Sequence, residues 1–288
     1  MKLNELKAVL EEIGVSPSRS LGQNFMTDAN LVDFIARTSG VGEGDLVVEV
    51  GPGLGVLTRK LLESGAEVAA VELDKRVFDY LSKEIRHPKF HLVQGDACRI
   101  DLTELTSDRP WKCVANLPYS ISTPFAARLA ESHHPPESAL LLLQKETADR
   151  FAAKPRTKDY GSVSVLLQTA FKVEIVRKVS PKVFHPQPKV DSALTRFALK
   201  SERPDAAEMK RLSKVLRTAF SQRRKKMVKA LSRAYGADAP RAMESLEINP
   251  NARAEELSPE MFQRLALKFH EKIESKTRGG VLENGEGA

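Results

Sequence analysis

The sharpest chemical feature of the 288-residue sequence is Asn116-Leu117-Pro118-Tyr119, which closes the short apolar run from Lys112 to Ala115. The Asn116 side-chain oxygen and the Leu117 backbone carbonyl are two acceptors close together. Pro118 fixes the backbone so that this carbonyl points inward, and Tyr119 offers an aromatic face. Such a set suits the exocyclic amine of a nucleobase. That amine is a poor nucleophile because its lone pair is delocalised into the ring. Two acceptors favour a pyramidal nitrogen whose lone pair points at an electrophile, and the ring stacks on a base drawn out of its own stack. The plain alternative is a strand-to-helix turn that uses Asn and Pro for shape alone.

A second group of residues suits a nucleoside ligand. Glu49-Val50-Gly51-Pro52-Gly53-Leu54-Gly55 follows one apolar run and precedes a helical stripe. Glycines there allow positive φ and close backbone approach, next to a helix N-terminus. The third glycine arrives one residue earlier than in the dinucleotide pattern, so the loop alone is a weak signal. Glu72, 21 residues after Gly51, falls where a carboxylate accepts hydrogen bonds from both hydroxyls of a ribose. Asp74 competes for that role, and a solvated strand-end acid is the simpler explanation of either. Asp96, in Gly95-Asp96-Ala97, could bind an adenine amine or merely cap the following turn.

These residues need strands that end together. Apolar runs at Leu46–Val50, Glu67–Leu73, His91–Gln94, Lys112–Ala115, Ala139–Leu143, Lys172–Val179 and Ala193–Leu199 predict strands. Their continuous apolar character implies burial on both faces, as in a parallel sheet between helices. Leu57–Ser64 and Arg76–Ile85 have the helical period, and residues 20–40 add a helix for which Asp28 is a cap. The layout is α/β and doubly wound, Rossmann-like. After Lys200 the pattern changes. Leu212, Val215, Leu216, Ala219 and Phe220 form one helical stripe, a turn is expected near Ser221, and a second helix would bury Met227, Val228 and Leu231. Ser258-Pro259-Glu260 reads as a helix start, followed by Met261, Leu265 and Phe269. The expected organisation is an α/β domain over residues 1–200, a small all-α domain over 201–274 and a disordered tail over 275–288.

Charge is uneven. Ten basic residues and no acidic one lie between Lys210 and Arg233. Residues 201–288 hold 18 basic and 13 acidic groups, so they carry +5 of the total of +7. A solvated helix face explains a run such as Arg223, Arg224, Lys225 and Lys226, but ten without a counter-charge point to RNA or DNA. Two cysteines, Cys98 and Cys113, make neither a disulfide framework nor a cysteine-rich zinc site, and no metal is expected. The longest purely apolar run, Ala139 to Leu143, is far short of a membrane span. The N-terminal residues lack the apolar core and cleavage site of a secretory signal. A cytoplasmic setting is expected.

The ordered motifs together resemble the small-subunit ribosomal RNA adenine N6,N6-dimethyltransferase family, from about Ser20 to Leu267. They are Leu21-Gly22-Gln23-Asn24-Phe25, the glycine loop, Glu72-Leu73-Asp74, Gly95-Asp96-Ala97, Asn116 to Tyr119, Phe184 to Ser192 and Phe220 to Lys225. The resemblance implies a class I S-adenosyl-L-methionine methyltransferase sheet with helices on both faces, plus a helical RNA-recognition domain. It implies that Asn24 and Met26 meet the methionine end of the cofactor, Gly51 and Gly53 its amino acid and ribose, Glu72 the ribose diol and Asp96 the adenine amine. Asn116, Leu117, Pro118 and Tyr119 would receive the target adenine, Asn116 also bordering the cofactor, with Phe184 stacking on the other side. Arg223, Arg224, Lys225 and Lys226 would contact RNA. The implied partner is small-subunit RNA in an immature 30S particle, and the chain is expected to act as a monomer. Ser120 stands where asparagine is usual, and Met26 replaces a common leucine. Three rivals share parts of this pattern: an antibiotic-resistance methyltransferase of large-subunit RNA, a noncatalytic assembly factor and a DNA adenine methyltransferase. The Leu-Gly-Gln-Asn-Phe form and the stretch from Asn251 to Leu257 favour the small-subunit enzyme. The intact pocket residues argue against loss of turnover.

Overall fold

A computed structural model describes residues 1–16, 23–222 and 225–279. In chain order its elements begin with α1 (Leu3–Glu12), β1 (Phe25–Met26), α2 (Ala29–Thr38), β2 (Leu46–Val50), α3 (Val56–Glu63) and β3 (Glu67–Glu72). They continue with α4 (Lys75–Glu84), β4 (Phe90–Gln94), α5 (Leu102–Thr106), β5 (Trp111–Asn116), α6 (Ser122–Glu131), β6 (Ser138–Gln144) and α7 (Lys145–Phe151). Then come α8 (Ser162–Ala170), β7 (Phe171–Val179), β8 (Phe184–His185), β9 (Ser192–Leu199), α9 (Ala206–Ala219), α10 (Met227–Tyr235), α11 (Asp238–Ser245) and α12 (Pro259–Gly279).

All seven expected strands form, in one sheet of order β4-β3-β2-β5-β6-β9-β7. Neighbouring strands from β4 to β6 pair parallel, and all five residues of β2 are buried, as an apolar run between two helical layers requires. β9 instead pairs antiparallel with β6, with Ser192 opposite Gln144. The sheet is therefore mixed rather than wholly parallel. From β2 the chain adds β3 and β4 on one side and then returns to place β5 on the other. This reversal opens a crevice at the carboxyl ends of β2 and β5. Aspartates start the flanking helices: Asp28 accepts from the Leu31 N–H at 2.9 Å and Asp74 from the Arg76 N–H at 3.0 Å.

One pairing has no counterpart in the sequence pattern. β1 and β8, two residues each, pair antiparallel, with Phe25 opposite His185 and Met26 opposite Phe184. The Thr27 N–H extends the tie by donating to the Val183 carbonyl at 2.9 Å. No two-residue strand has a legible period, so only the assembled fold reveals it.

The chain divides into two compact units, residues 1–149 with 172–199 and residues 150–171 with 200–288. Residues 150–171 thus group with the C-terminal helices, which a single boundary at residue 200 does not anticipate. Within that unit the Tyr160 hydroxyl donates to the Leu257 carbonyl at 2.9 Å, and the Arg156 N–H donates to the Glu255 carbonyl at 2.8 Å. The Phe220 ring lies 6.4 Å from the ring of Tyr160 and 5.6 Å from that of Phe262. α9 ends in a 3-10 turn at Phe220–Gln222, where a turn is expected. Met227 and Leu231 are buried, while Val228 is half-buried. On α12 the buried stripe is Phe262, Leu265, Ala266 and Phe269, so Phe262 takes the place expected for Met261. α12 also runs to Gly279, five residues into the segment expected to be disordered. Among the described residues no helix is long and apolar enough to cross a membrane.

Tyr160 is fully buried, so its bond to Leu257 has no competing water. Tyr160→Phe leaves the Leu257 carbonyl without that donor and should cost about 1–3 kcal/mol in denaturant unfolding. An unchanged midpoint would show that this bond does not hold residues 150–171 to the helices.

Candidate active site

The loops after β2 and β5 touch because a glycine permits it. Gly51 has φ +68°, and a Cβ there would lie 3.4 Å from Pro118 Cδ. Gly53 has φ +58°, and a Cβ there would lie 3.2 Å from the Phe25 ring. Both positions have a left-handed backbone, which glycine adopts without strain, and at Gly53 the contact is tight as well. The glycine loop thereby lies directly against the Asn116–Tyr119 turn and against β1.

Asn116 is the last residue of β5. Its side-chain Nδ2 donates to the Asn24 carbonyl at 2.8 Å. That bond fixes which end of the amide is which, because only the nitrogen end can satisfy a carbonyl. The Oδ1 end is left as acceptor at the crevice. Leu117 follows, its side chain buried, and Pro118 with φ −51° and ψ 129° turns the chain into a 3-10 turn at Tyr119–Ile121. The Tyr119 and Ser192 hydroxyls share a hydrogen bond of 2.8 Å. Burial pushes the Tyr119 phenol up from its ordinary range, with the Ser192 bond partly offsetting it.

Four carboxylates border the same space. Glu72 is 7% exposed, its Oε1 accepts from the Asp74 N–H at 2.9 Å, and burial raises its carboxyl above the usual range. Asp74 is committed elsewhere, capping α4 and pairing with Arg76 at 2.9 Å, which holds its carboxyl low. The competition between them therefore favours Glu72 as the acceptor for a ligand. Asp96 does cap its turn, accepting from the Cys98 N–H at 2.9 Å, and it also borders the crevice. Glu49 is 2% exposed; burial pushes it up to about 8, the Glu72 charge adding to the rise and a 2.7 Å bond from the Thr58 hydroxyl opposing it.

One cleft gathers every residue expected at a cofactor: Asn24, Met26, Gly51, Gly53, Glu72, Asp96 and Asn116. Leu117 and Pro118 border it too, and Ser120 lies exposed at its edge. Tyr119 is half-buried just beyond that lining, and Phe184 is 4% exposed within the core, where it backs β1 through its pairing with Met26. Lys225 and Lys226 are exposed in the helical unit, while Arg223 and Arg224 lie outside the described residues. Four residues escape sequence reasoning. Leu6 of α1 and Glu49 are buried and line the cleft, and Ser192 bonds to Tyr119. Arg128 of α6 donates to the carbonyls of Ala97 and Ile100 and so braces the loop that carries Asp96. Ser192 closes a noted motif, but nothing in its spacing says which residue it meets.

Residues 16–271 match the model of the family described as ribosomal RNA adenine dimethylase. The chain is 36% identical to ribosomal RNA small subunit methyltransferase A of Clostridium acetobutylicum, over 94% of this chain and 100% of the relative. It is 40% identical to the protein of the same name from Phenylobacterium zucineum, over 92% of each. Among solved structures, a dimethyladenosine transferase from Plasmodium falciparum shares the fold with a TM-score of 0.72 at 24% identity, covering 86% of this chain and 98% of that one. The 23S rRNA methyltransferase ErmE aligns with a TM-score of 0.62 at 27% identity, over 86% of this chain and 100% of that one.

The raised Glu49 carboxyl gives a pH signature. Between about pH 4.5 and 8 the folded protein keeps a proton that the unfolded chain has lost, so stability falls as pH rises through that window and levels above it. Glu49→Gln keeps an acceptor for Thr58 without a charge, and should flatten this part of the thermal-unfolding profile and raise the melting temperature at pH 8. Equal slopes in parent and variant would mean that Glu49 is ionised throughout.

Proposed function

The chain belongs to the ribosomal RNA adenine dimethylase family, and from that premise we propose that it dimethylates N6 of two adjacent adenines in a hairpin near the 3′ end of small-subunit (16S) RNA. Its setting is ribosome biogenesis in the cytoplasm, where a monomer acts on an immature 30S particle. Support for the small subunit comes from relatives named for it at 36% and 40% identity over nearly their whole length, against 27% for the large-subunit enzyme. The single observation that carries the reading is the Asn116 amide at the lining of the cleft, its nitrogen bonded to the Asn24 carbonyl so that its oxygen is left to accept.

The cofactor is S-adenosyl-L-methionine, and the residues fit it. Gly51 and Gly53 line the cleft with left-handed backbones and no side chains, and Glu72 is a buried carboxylate at a strand end. When bound, this cofactor supplies a methyl group already activated by a sulfonium, so no metal or covalent intermediate is required. Glu72 would accept from the ribose hydroxyls and Asp96 from the adenine amine, and Asn24 and Met26 would border the methionine end. Asn116 Oδ1 and the Leu117 carbonyl take the two N–H groups of the target amine, and Pro118 sets the direction of that carbonyl. Tyr119 gives the base its platform, and Phe184, the residue expected to stack on the other side, is 4% exposed as it stands. Holding the amine in line with the methyl carbon can be worth ~7 kcal/mol or more of barrier. The surplus proton leaves to water, and no residue is assigned as a dedicated base.

RNA delivery falls to the helical unit. Lys210, Lys214 and Arg217 are exposed along α9, and Lys229 and Arg233 along α10. Lys225 and Lys226, also exposed, and Arg223 and Arg224 are the proposed phosphate contacts, a chemistry suited to RNA shape rather than to a base sequence.

Asn116→Ala should lower methyl transfer about 100-fold or more while calorimetry shows cofactor binding largely intact; comparable turnover would remove Asn116 from the mechanism. With labelled cofactor and separated undermodified subunits, label should enter the small subunit alone, and label in the large subunit would instead favour the resistance-type reading. Replacing Lys225 and Lys226 by Ala should lower the slope of log affinity against log salt by about 0.7 to 0.9 for each phosphate no longer neutralised. A slope equal to the parent's would place the RNA elsewhere.

A further inference from the structure

We propose that Ser192 is a positioning residue for the Tyr119 ring, and that their hydrogen bond determines whether the target adenine receives its second methyl group. The inference rests on the cleft being the dimethylase site. Ser192 is fully buried at the first residue of β9, held in register with Gln144 of β6. Tyr119, by contrast, stands on a single 3-10 turn beyond the end of β5. A ring on such a turn has two free torsions unless its far end is held. The 2.8 Å bond to Ser192 ties that far end to a paired strand of the sheet.

The two transfers place unequal demands on that ring. In each, the N6 lone pair forms the new N–C bond as the methyl carbon–sulfur bond breaks. The bonding pair stays on sulfur to leave a neutral thioether, and the surplus N6 proton passes to water. The unmodified amine has two N–H groups for two acceptors, Asn116 Oδ1 and the Leu117 carbonyl. After one transfer a single N–H remains, so one of those bonds is lost. The orientation of the base must then come largely from stacking. Loosening the Tyr119 ring therefore penalises the second transfer more than the first. Phe184, 4% exposed, offers little compensating face.

The experiment compares the parent with Ser192→Ala, Tyr119→Phe, the double variant and Ser192→Thr on undermodified small subunits. N6-monomethyl- and dimethyladenine are resolved over time by mass spectrometry of the nucleosides. Ser192→Ala and Tyr119→Phe should each slow the second transfer about fivefold or more relative to the first, so that monomethyladenine accumulates. The double variant should be no worse than either single change, and Ser192→Thr should restore the parental product ratio. Thermal unfolding gives an independent readout. Ser192→Ala leaves a half-buried phenol without its partner and should melt no higher than the double variant, which lacks both hydroxyls. If Ser192→Ala does not fold, Tyr119→Phe and the double variant carry the same comparison. An unchanged product ratio, an equal fall in both transfers, or additive losses in the double variant would each overturn the proposal. A parent that methylates no small-subunit adenine would overturn the reading of the site instead.

Discussion

A single hydrogen bond, from Asn116 Nδ2 to the Asn24 carbonyl, decides what the crevice can do. An asparagine amide presents a donor at one end and an acceptor at the other, and rotating it by half a turn exchanges them. With the nitrogen engaged, the oxygen is the end left to accept, as the proposed role toward a base amine requires. With the opposite orientation the site would present a donor to a donor. The partner that sets this choice is a backbone carbonyl 92 positions away, next to the short pairing of β1 with β8 that anchors its segment. The left-handed backbone of Gly51, at φ +68°, completes the arrangement by bringing the glycine loop against Pro118 of the Asn116–Tyr119 turn.

Charge is arranged to match two ligands of opposite sign. The cleft is acidic, with Glu49 and Glu72 buried close enough for the charge of one to raise the other, a situation that a sulfonium would relieve. The exposed cations of α9 and α10 belong to the helical unit. That segregation accounts for a modest net charge of +7 in a protein whose substrate is a polyanion.

Much of this is legible in the sequence, because local physics writes itself into local pattern. Continuous apolar runs make strands with nearly the expected ends, and Asp28 and Ser258 cap the helices they precede. The Asn116–Tyr119 turn, the glycine loop, Glu72 and Asp96 all stand at strand ends, where a doubly wound sheet collects its ligands. Less local features escape. Phe262 occupies the buried stripe expected for Met261, because a helical period leaves the phase of a stripe uncertain by about one residue. Residues 150–171 read as part of the α/β region, yet Tyr160 and Arg156 bond to Leu257 and Glu255 in the helical unit.

The amino-acid sequence by itself determined the element types, the chemistry available at each strand end and the segregation of positive charge, since these follow from periodicity, residue type and composition. Tertiary structure alone decided which way the Asn116 amide faces, that Ser192 holds Tyr119, that Arg128 braces the Asp96 loop, and that Phe184 lies within the core. The reason is one of distance along the chain. A hydrogen bond is satisfied by whichever partner folding brings within about 3 Å, and no residue's type or spacing states which distant segment that will be.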